Sequence, residues 1–152
     1  MKWTLRIVAA AVVALVAWQV WQRVFVTDET RIKRQIAVMA RAVEKGDVVR
    51  LSDAVAADYG DDWNMDKSLL LGAVRSFRSQ YDAILILISD LTVTVDPDGQ
   101  KAQAIFIAKV LAKAKGSVAE SEVRAERFRL YFRRNDGGWK LVRTESPELK
   151  FD

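Results

Sequence analysis

The sequence predicts an α+β domain: three helices cover one apolar face of a four-stranded antiparallel meander, and an N-terminal transmembrane helix precedes them. Three observations carry this. First, Glu126-Arg127-Phe128-Arg129-Leu130-Tyr131-Phe132-Arg133 alternates with a period of two, placing Phe128, Leu130 and Phe132 on one face and Arg127, Arg129, Tyr131 and Arg133 on the other. Second, Asp96-Pro97-Asp98-Gly99 and Asn135-Asp136-Gly137-Gly138 are reversal signals between long β-rich stretches. Third, the apolar face so created needs a cover, and the segments that can supply one precede it.

The chain opens on an unbroken apolar run, Ile7 to Trp18, whose character continues through Val20, Trp21, Val24, Phe25 and Val26. A stretch of about 20 residues can span a bilayer. Lys2 and Arg6 in front, with Trp3, Trp18 and Trp21 near the ends, resemble interfacial anchors. No small-x-small cleavage site follows, so residues 1–27 are expected to be an uncleaved signal-anchor, with residues 3–26 in the membrane. Positive charges on both sides leave the orientation open, and the prior for short N-terminal anchors puts the domain outside.

From Asp28 to Lys45 the residues Ile32, Ile36, Met39, Ala40 and Val43 recur with helical spacing, and Gly46 is suited to end that helix. Asp47 then caps a short helix with Val48, Leu51 and Val55 on one side. Tyr59 to Asn64 reads as a loop. Asp66 caps a third helix, whose buried side is expected to hold Leu69, Leu70, Ala73, Val74, Phe77 and Tyr81. The strands are expected at Asp82–Val95, Lys101–Ala114, Glu122–Arg134 and Trp139–Glu145, and residues 148–152 form a tail. The folded domain thus occupies residues 28–147.

The formal net charge of +4 overstates the basicity of that domain, because residues 1–26 hold three bases and no acid, leaving 21 basic against 20 acidic residues. A nucleic-acid partner is therefore not expected. Glu44 to Asp98 carries 11 acids and 5 bases, whereas Lys101 to Lys150 carries 12 bases and 6 acids, so an acidic cover faces a basic sheet. Cysteine and histidine are absent, which removes thiol chemistry and the commonest neutral-pH general base.

Ala42-Val-Glu-Lys-Gly-Asp-Val-Val-Arg-Leu51, then Asp58-Tyr59 with Asp61 and Asp66-Lys67 before a helix, then Asp136-Gly-Gly-Trp-Lys-Leu-Val-Arg143 resemble the nuclear-transport-factor-2-like (NTF2-like) superfamily. The resemblance covers about Asp28 to Pro147 and is similar to that of small bacterial members without assigned function. It implies a sheet curved around the helices as a cone with a pocket at the open end, and often a homodimer.

Enzymes of that superfamily place a carboxylate base and a donor inside the cone, where burial raises the carboxyl pKa. Here the first helix offers only Ile32, Ile36, Met39 and Val43 inward, so that arrangement does not carry over to it. Tyr59, Asp62 and Trp63 are candidates for the pocket mouth, and Asp90 and Glu126 for strand positions that turn inward. Asp62-x-Asn64-x-Asp66 copies the start of a calcium loop, but Lys67 stands where glycine is needed and Ala73 where a bidentate glutamate is, so neither a metal nor a cofactor is expected. Arg127, Arg129 and Arg133 form a basic sheet face.

These features point to a membrane-tethered, non-catalytic domain of a bacterial inner membrane, single-pass and periplasmic, binding a small apolar ligand or an envelope protein. A small isomerase or hydrolase using Asp62, Asp90 or Glu126 with Tyr59 as donor is one alternative. An assembly scaffold that forms a homodimer through the sheet is another.

Overall fold

In the computed structural model the described residues are 11–16, 18, 27–118 and 121–146. Helix α1 spans Asp28–Lys45, α2 Val48–Ala54, β1 Val55–Asp61, α3 Lys67–Gln80, β2 Tyr81–Val95, β3 Lys101–Ala114, β4 Ser121–Asn135 and β5 Gly138–Glu145. Each helix begins on a side-chain cap: Thr27, Asp47 and Asp66 accept from the backbone N–H of Thr30, Arg50 and Leu69. Gly46 ends α1 at φ +70°, its N–H donating to Val43 O and that of Asp47 to Ala42 O. This pair of bonds is the Schellman arrangement, which needs a left-handed residue that glycine adopts without a Cβ penalty.

The sheet has five strands in the order β1-β5-β4-β3-β2, one more than the sequence predicts. The additional strand is β1, which pairs in parallel with β5, so the sheet is mixed rather than wholly antiparallel. Val55 leaves the helix expected to contain it, and Tyr59 to Asp61 are strand rather than loop. The reason is tertiary. Val-Ala-Ala-Asp-Tyr-Gly-Asp has little intrinsic strand preference, but the free edge of β5 supplies hydrogen bonds, and Val55, Ala56 and Tyr59 are buried by pairing there.

Strands β2 to β5 are the antiparallel meander, with Phe106 opposite Phe128 and Leu130 opposite Ala104. Phe132 and Ile32 are fully buried, so α1 lies directly on the face carried by Phe128, Leu130 and Phe132. Its Ile32, Ile36, Met39 and Ala42 are its buried stripe. On β2, the long edge strand, Glu44 of α1 accepts the outward backbone N–H of Ile86 at 2.8 Å, which caps part of the open ladder.

Helix α3 departs from its expected role. None of its residues is buried, and Leu69 is 58% exposed, while Leu70, Leu71 and Val74 only partly pack on the core. Tyr81 is not on the helix but opens β2. An amphipathic stripe fixes which way a helix faces, not how completely its neighbours enclose it.

Among the described residues, no helix is long and apolar enough to cross a membrane. The anchor expected over residues 1–27 falls largely outside the described residues, as does the tail at 148–152. Residues 11–16 and 18 are helical, and Val12, Val13, Leu15, Val16 and Trp18 are each more than half exposed.

Candidate functional site

Because α3 does not close over the sheet, a cavity of about 240 Å³ remains between α1, α3 and the concave strand face. On α1 the wall is Ile36, Met39, Ala40 and Val43, spaced so that one helical stripe faces the space. Leu70 and Val74 of α3, one turn apart, form the opposite side. The floor is built from the inward rows of the sheet, with Ile86 and Ile88 on β2, Phe106, Ala108 and Val110 on β3, and Phe128 and Leu130 on β4. Phe106 and Phe128 sit with ring centroids 6.0 Å apart. Thr144 is the one polar side chain of the lining. Such a chamber offers an apolar surface and almost nothing that could hold a charge or move a proton.

Tyr59 does not line this cavity. It is buried, and its hydroxyl donates to Asp61 Oδ2 at 3.2 Å. Burial pushes the phenol pKa well up, the nearby Thr144 hydroxyl opposes this, and the carboxylates of Asp61 and Asp62 add to it. The other oxygen of Asp61 accepts the backbone N–H groups of Trp63 and Met65 at 2.9 and 2.8 Å, closing the turn after β1. Tyr59 and Asp61 therefore brace a turn.

The remaining sequence candidates are dispersed. Asp62 pairs with Arg143 at 2.7 Å on the surface, and Trp63 is half-buried outside the cavity wall. Asp90 is exposed at φ +54° where the β2–β3 register shifts, a left-handed position that aspartate tolerates, and it does not line the cavity. Glu126 is half-buried on the inward row of β4, opposite Ala108. No two of these acids converge on a shared donor in the cavity. Asp66 is used as the α3 cap, and among the described residues no group of three or more acids could hold a metal ion.

The basic sheet face is real but largely neutralised. Arg133 makes two bonds to Asp58, at 2.9 and 2.7 Å, reaching across β5 to β1. The Arg133 guanidinium holds the Asp58 carboxyl below its usual range. Arg143 bridges Asp62 and Glu145, and Glu145 also receives Tyr131 Oη at 3.0 Å and lies 3.6 Å from Arg129. Sequence reading missed the Arg133–Asp58 and Arg143–Asp62 pairings because the partners lie 75 and 81 residues apart. Arg127 stays exposed on this face without a described partner.

A second cleft, of about 500 Å³, was not foreseen. It lies where the N-terminal half of α1 and helix α2 meet the β4–β5 hairpin, and includes Arg31, Arg50, Arg134 and Lys140. Its cations are engaged: Arg134 pairs with Asp28 and stacks 4.8 Å over Trp139, and Lys140 donates to Asp53 O. The nearest sequence signal was Arg134 and Trp139 flanking the second reversal.

No protein-family model matches the chain, and no curated protein matches it. Solved structures do. A putative dehydratase from the nuclear-transport-factor-2-like family of Streptomyces avermitilis is 20% identical, with a TM-score of 0.66 over 79% of this chain and 94% of that one. A nuclear-transport-factor-2-like protein with a cystatin-like fold from Novosphingobium aromaticivorans is 23% identical, with a TM-score of 0.62 over 78% of this chain and 81% of that one. A nuclear-transport-factor-2-like superfamily protein from Salmonella enterica is 12% identical, with a TM-score of 0.68 over 78% and 89%. These likenesses show the fold, an α+β cone of the nuclear-transport-factor-2-like kind.

Proposed function

We propose that this chain is a membrane-tethered, non-catalytic domain that holds a small apolar or amphipathic ligand between α1, α3 and the sheet. The observation that carries the reading is the cavity itself, apolar in every lining side chain but Thr144. Burial of apolar surface stabilises a ligand there by roughly 25 cal/mol per Å². A second envelope protein inserting an apolar segment would use the same surface.

The name of the Streptomyces neighbour raises a dehydratase reading, and the alternative of an isomerase or hydrolase belongs with it. Acid–base chemistry needs a carboxylate within hydrogen-bond reach of the substrate. Asp62 and Asp90 point elsewhere, Tyr59 is committed to Asp61, and Glu126, on the inward row of β4, has no hydrogen-bond donor beside it among the described residues with which to share the work. The binding reading fits this geometry better.

The tether rests on residues 3–26, whose described part is a helix of exposed valine, leucine and tryptophan, a surface suited to lipid. We place it as a single pass in a bacterial inner membrane with the domain in the periplasm. Reporter fusions at Asp152 test the sidedness: phosphatase activity supports this placement, and a fluorescent cytoplasmic fusion opposes it.

One observation favours a homodimer as well. Leu85 and Leu87 are 47% and 46% exposed on the outward face of β2, opposite Leu111 and Lys109 of β3. Leu87→Lys should then shift the full chain to monomer in light scattering, and an unchanged mass opposes a dimer through this face.

Native mass spectrometry of the full chain released from nanodiscs tests the binding reading. A retained apolar adduct that disappears in Val74→Trp supports it. Adduct-free protein, together with no thermal shift by any apolar compound, counts against it.

A further inference from the structure

The inward row of β4 reads Glu126, Phe128, Leu130, Phe132, one acid on an otherwise apolar line. Glu126 stands opposite Ala108 on β3, and Ala108 and Phe128 both line the cavity, as does Val110 just beyond. Two residues of strand separate Glu126 from Phe128, roughly 7 Å along the chain. Its carboxylate is half-buried and has no hydrogen bond or ion pair among the described residues. That sets it apart from Asp58, Asp61, Asp62 and Glu145, each of which is bound by an arginine, a tyrosine or backbone N–H groups. The neighbouring Arg127 lies on the opposite face by the strand's alternation and cannot serve it.

We propose that Glu126 selects the head group of the ligand: the cavity takes an amphipathic molecule whose apolar body lies against Phe106, Phe128 and Val74 and whose cationic amine meets Glu126 at the mouth. This rests on the apolar-ligand reading above and adds to it the ligand's charge. A half-buried carboxylate with no partner among the described residues is open to a cation, and an ammonium placed against it gains a charge-assisted hydrogen bond in partly excluded water. A neutral hydroxyl gains less, and a carboxylate is repelled. With the same apolar body, the order of affinity is therefore amine, then alcohol, then acid.

The test compares octylamine, octanol and octanoate on the full chain in nanodiscs by isothermal titration, with empty nanodiscs as blank. Octylamine should bind about tenfold more tightly than octanol, the ratio expected from one charge-assisted bond. Glu126→Gln should erase that ratio, weakening octylamine far more than octanol, and Glu126→Asp should retain a preference for the amine. Circular dichroism confirms that each variant is folded, and should Glu126→Gln fail to fold, Glu126→Ala carries the same expectation. If all three compounds bind alike, if octanoate binds best, or if the amine preference survives in Glu126→Gln, the head-group assignment is overturned while the apolar site stands. If no compound binds the unmodified chain, the apolar-ligand reading itself falls.

Discussion

Ala40 sits on α1 in the wall of the cavity, and replacing it with phenylalanine tests whether that space is open in solution. A dry, enclosed void of about 240 Å³ would cost about 6 kcal/mol at 24 cal/mol per Å³. That is an upper bound here, because α3 contributes no buried residue and the mouth admits water or ligand. A phenyl ring half shielded by Val74, Phe128 and Met39 recovers about half of the 1.5–3 kcal/mol of full burial, or about 1 kcal/mol. The lower helix propensity of phenylalanine takes back about 0.5 kcal/mol. Ala40→Phe is therefore expected to be neutral to about 1 kcal/mol stabilising in urea unfolding of the full chain, and to abolish octanol binding. In a packed core the same substitution would cost about 1–3 kcal/mol. A loss of that size with octanol binding intact would refute the cavity argument, since the two accounts differ in sign.

Phe132→Ala, at the most enclosed aromatic of β4, should destabilise by about 3–5 kcal/mol in the same assay; a cost under about 1 kcal/mol would mean the sheet face is not the core. Gly46→Ala places a Cβ 2.8 Å from Arg78 Cγ at φ +70°, so it should cost on the order of 1–3 kcal/mol, more than an ordinary surface change, as read by thermal melting. The Asp58 carboxyl is held below its ordinary 3.8 by Arg133, so its contribution is present above that value and is lost as pH falls through the lower folded value. Asp58→Asn should accordingly flatten the acid side of the stability profile below pH 4 without changing it at pH 7 beyond the loss of one exposed pair. The buried Tyr59 phenol, raised above its ordinary 10.0, should resist ionisation in an alkaline absorbance titration until the domain unfolds, whereas Tyr59→Phe should remove that late step.

The meander was legible because its signals are local. Alternation in β4 and the turn glycines, Gly99 at φ +67° among them, fixed strand ends to within about a residue, and the α1 stripe identified its buried face. The fifth strand was not legible, since β1 acquires its state from the edge of β5 some 80 residues later in the chain, and nothing in Ala56-Ala57-Asp58 announces it. Helix α3 illustrates the complementary limit: its stripe was read correctly for Leu70 and Val74, but the space left beneath it depends on the curvature of a sheet not yet assembled. The neutralisation of the basic face was not legible for a related reason. Arg133 and Asp58 are 75 residues apart and meet only when β5 brings β1 alongside β4. The inward position of Glu126 was legible from parity alone, whereas the surroundings of Tyr59 and Asp62 depended on the turn that follows β1.

The most direct test of the central claim is a methyl spectrum of the full chain in nanodiscs, isoleucine-labelled and titrated with octylamine. Ile36, Ile86 and Ile88 line the cavity, while Ile105 and Ile107 lie on the outward row of β3 and serve as internal controls. Saturable shifts confined to the first three are the result expected of a ligand held between α1, α3 and the sheet. Shifts confined to Ile105 and Ile107, or none at all, would contradict it.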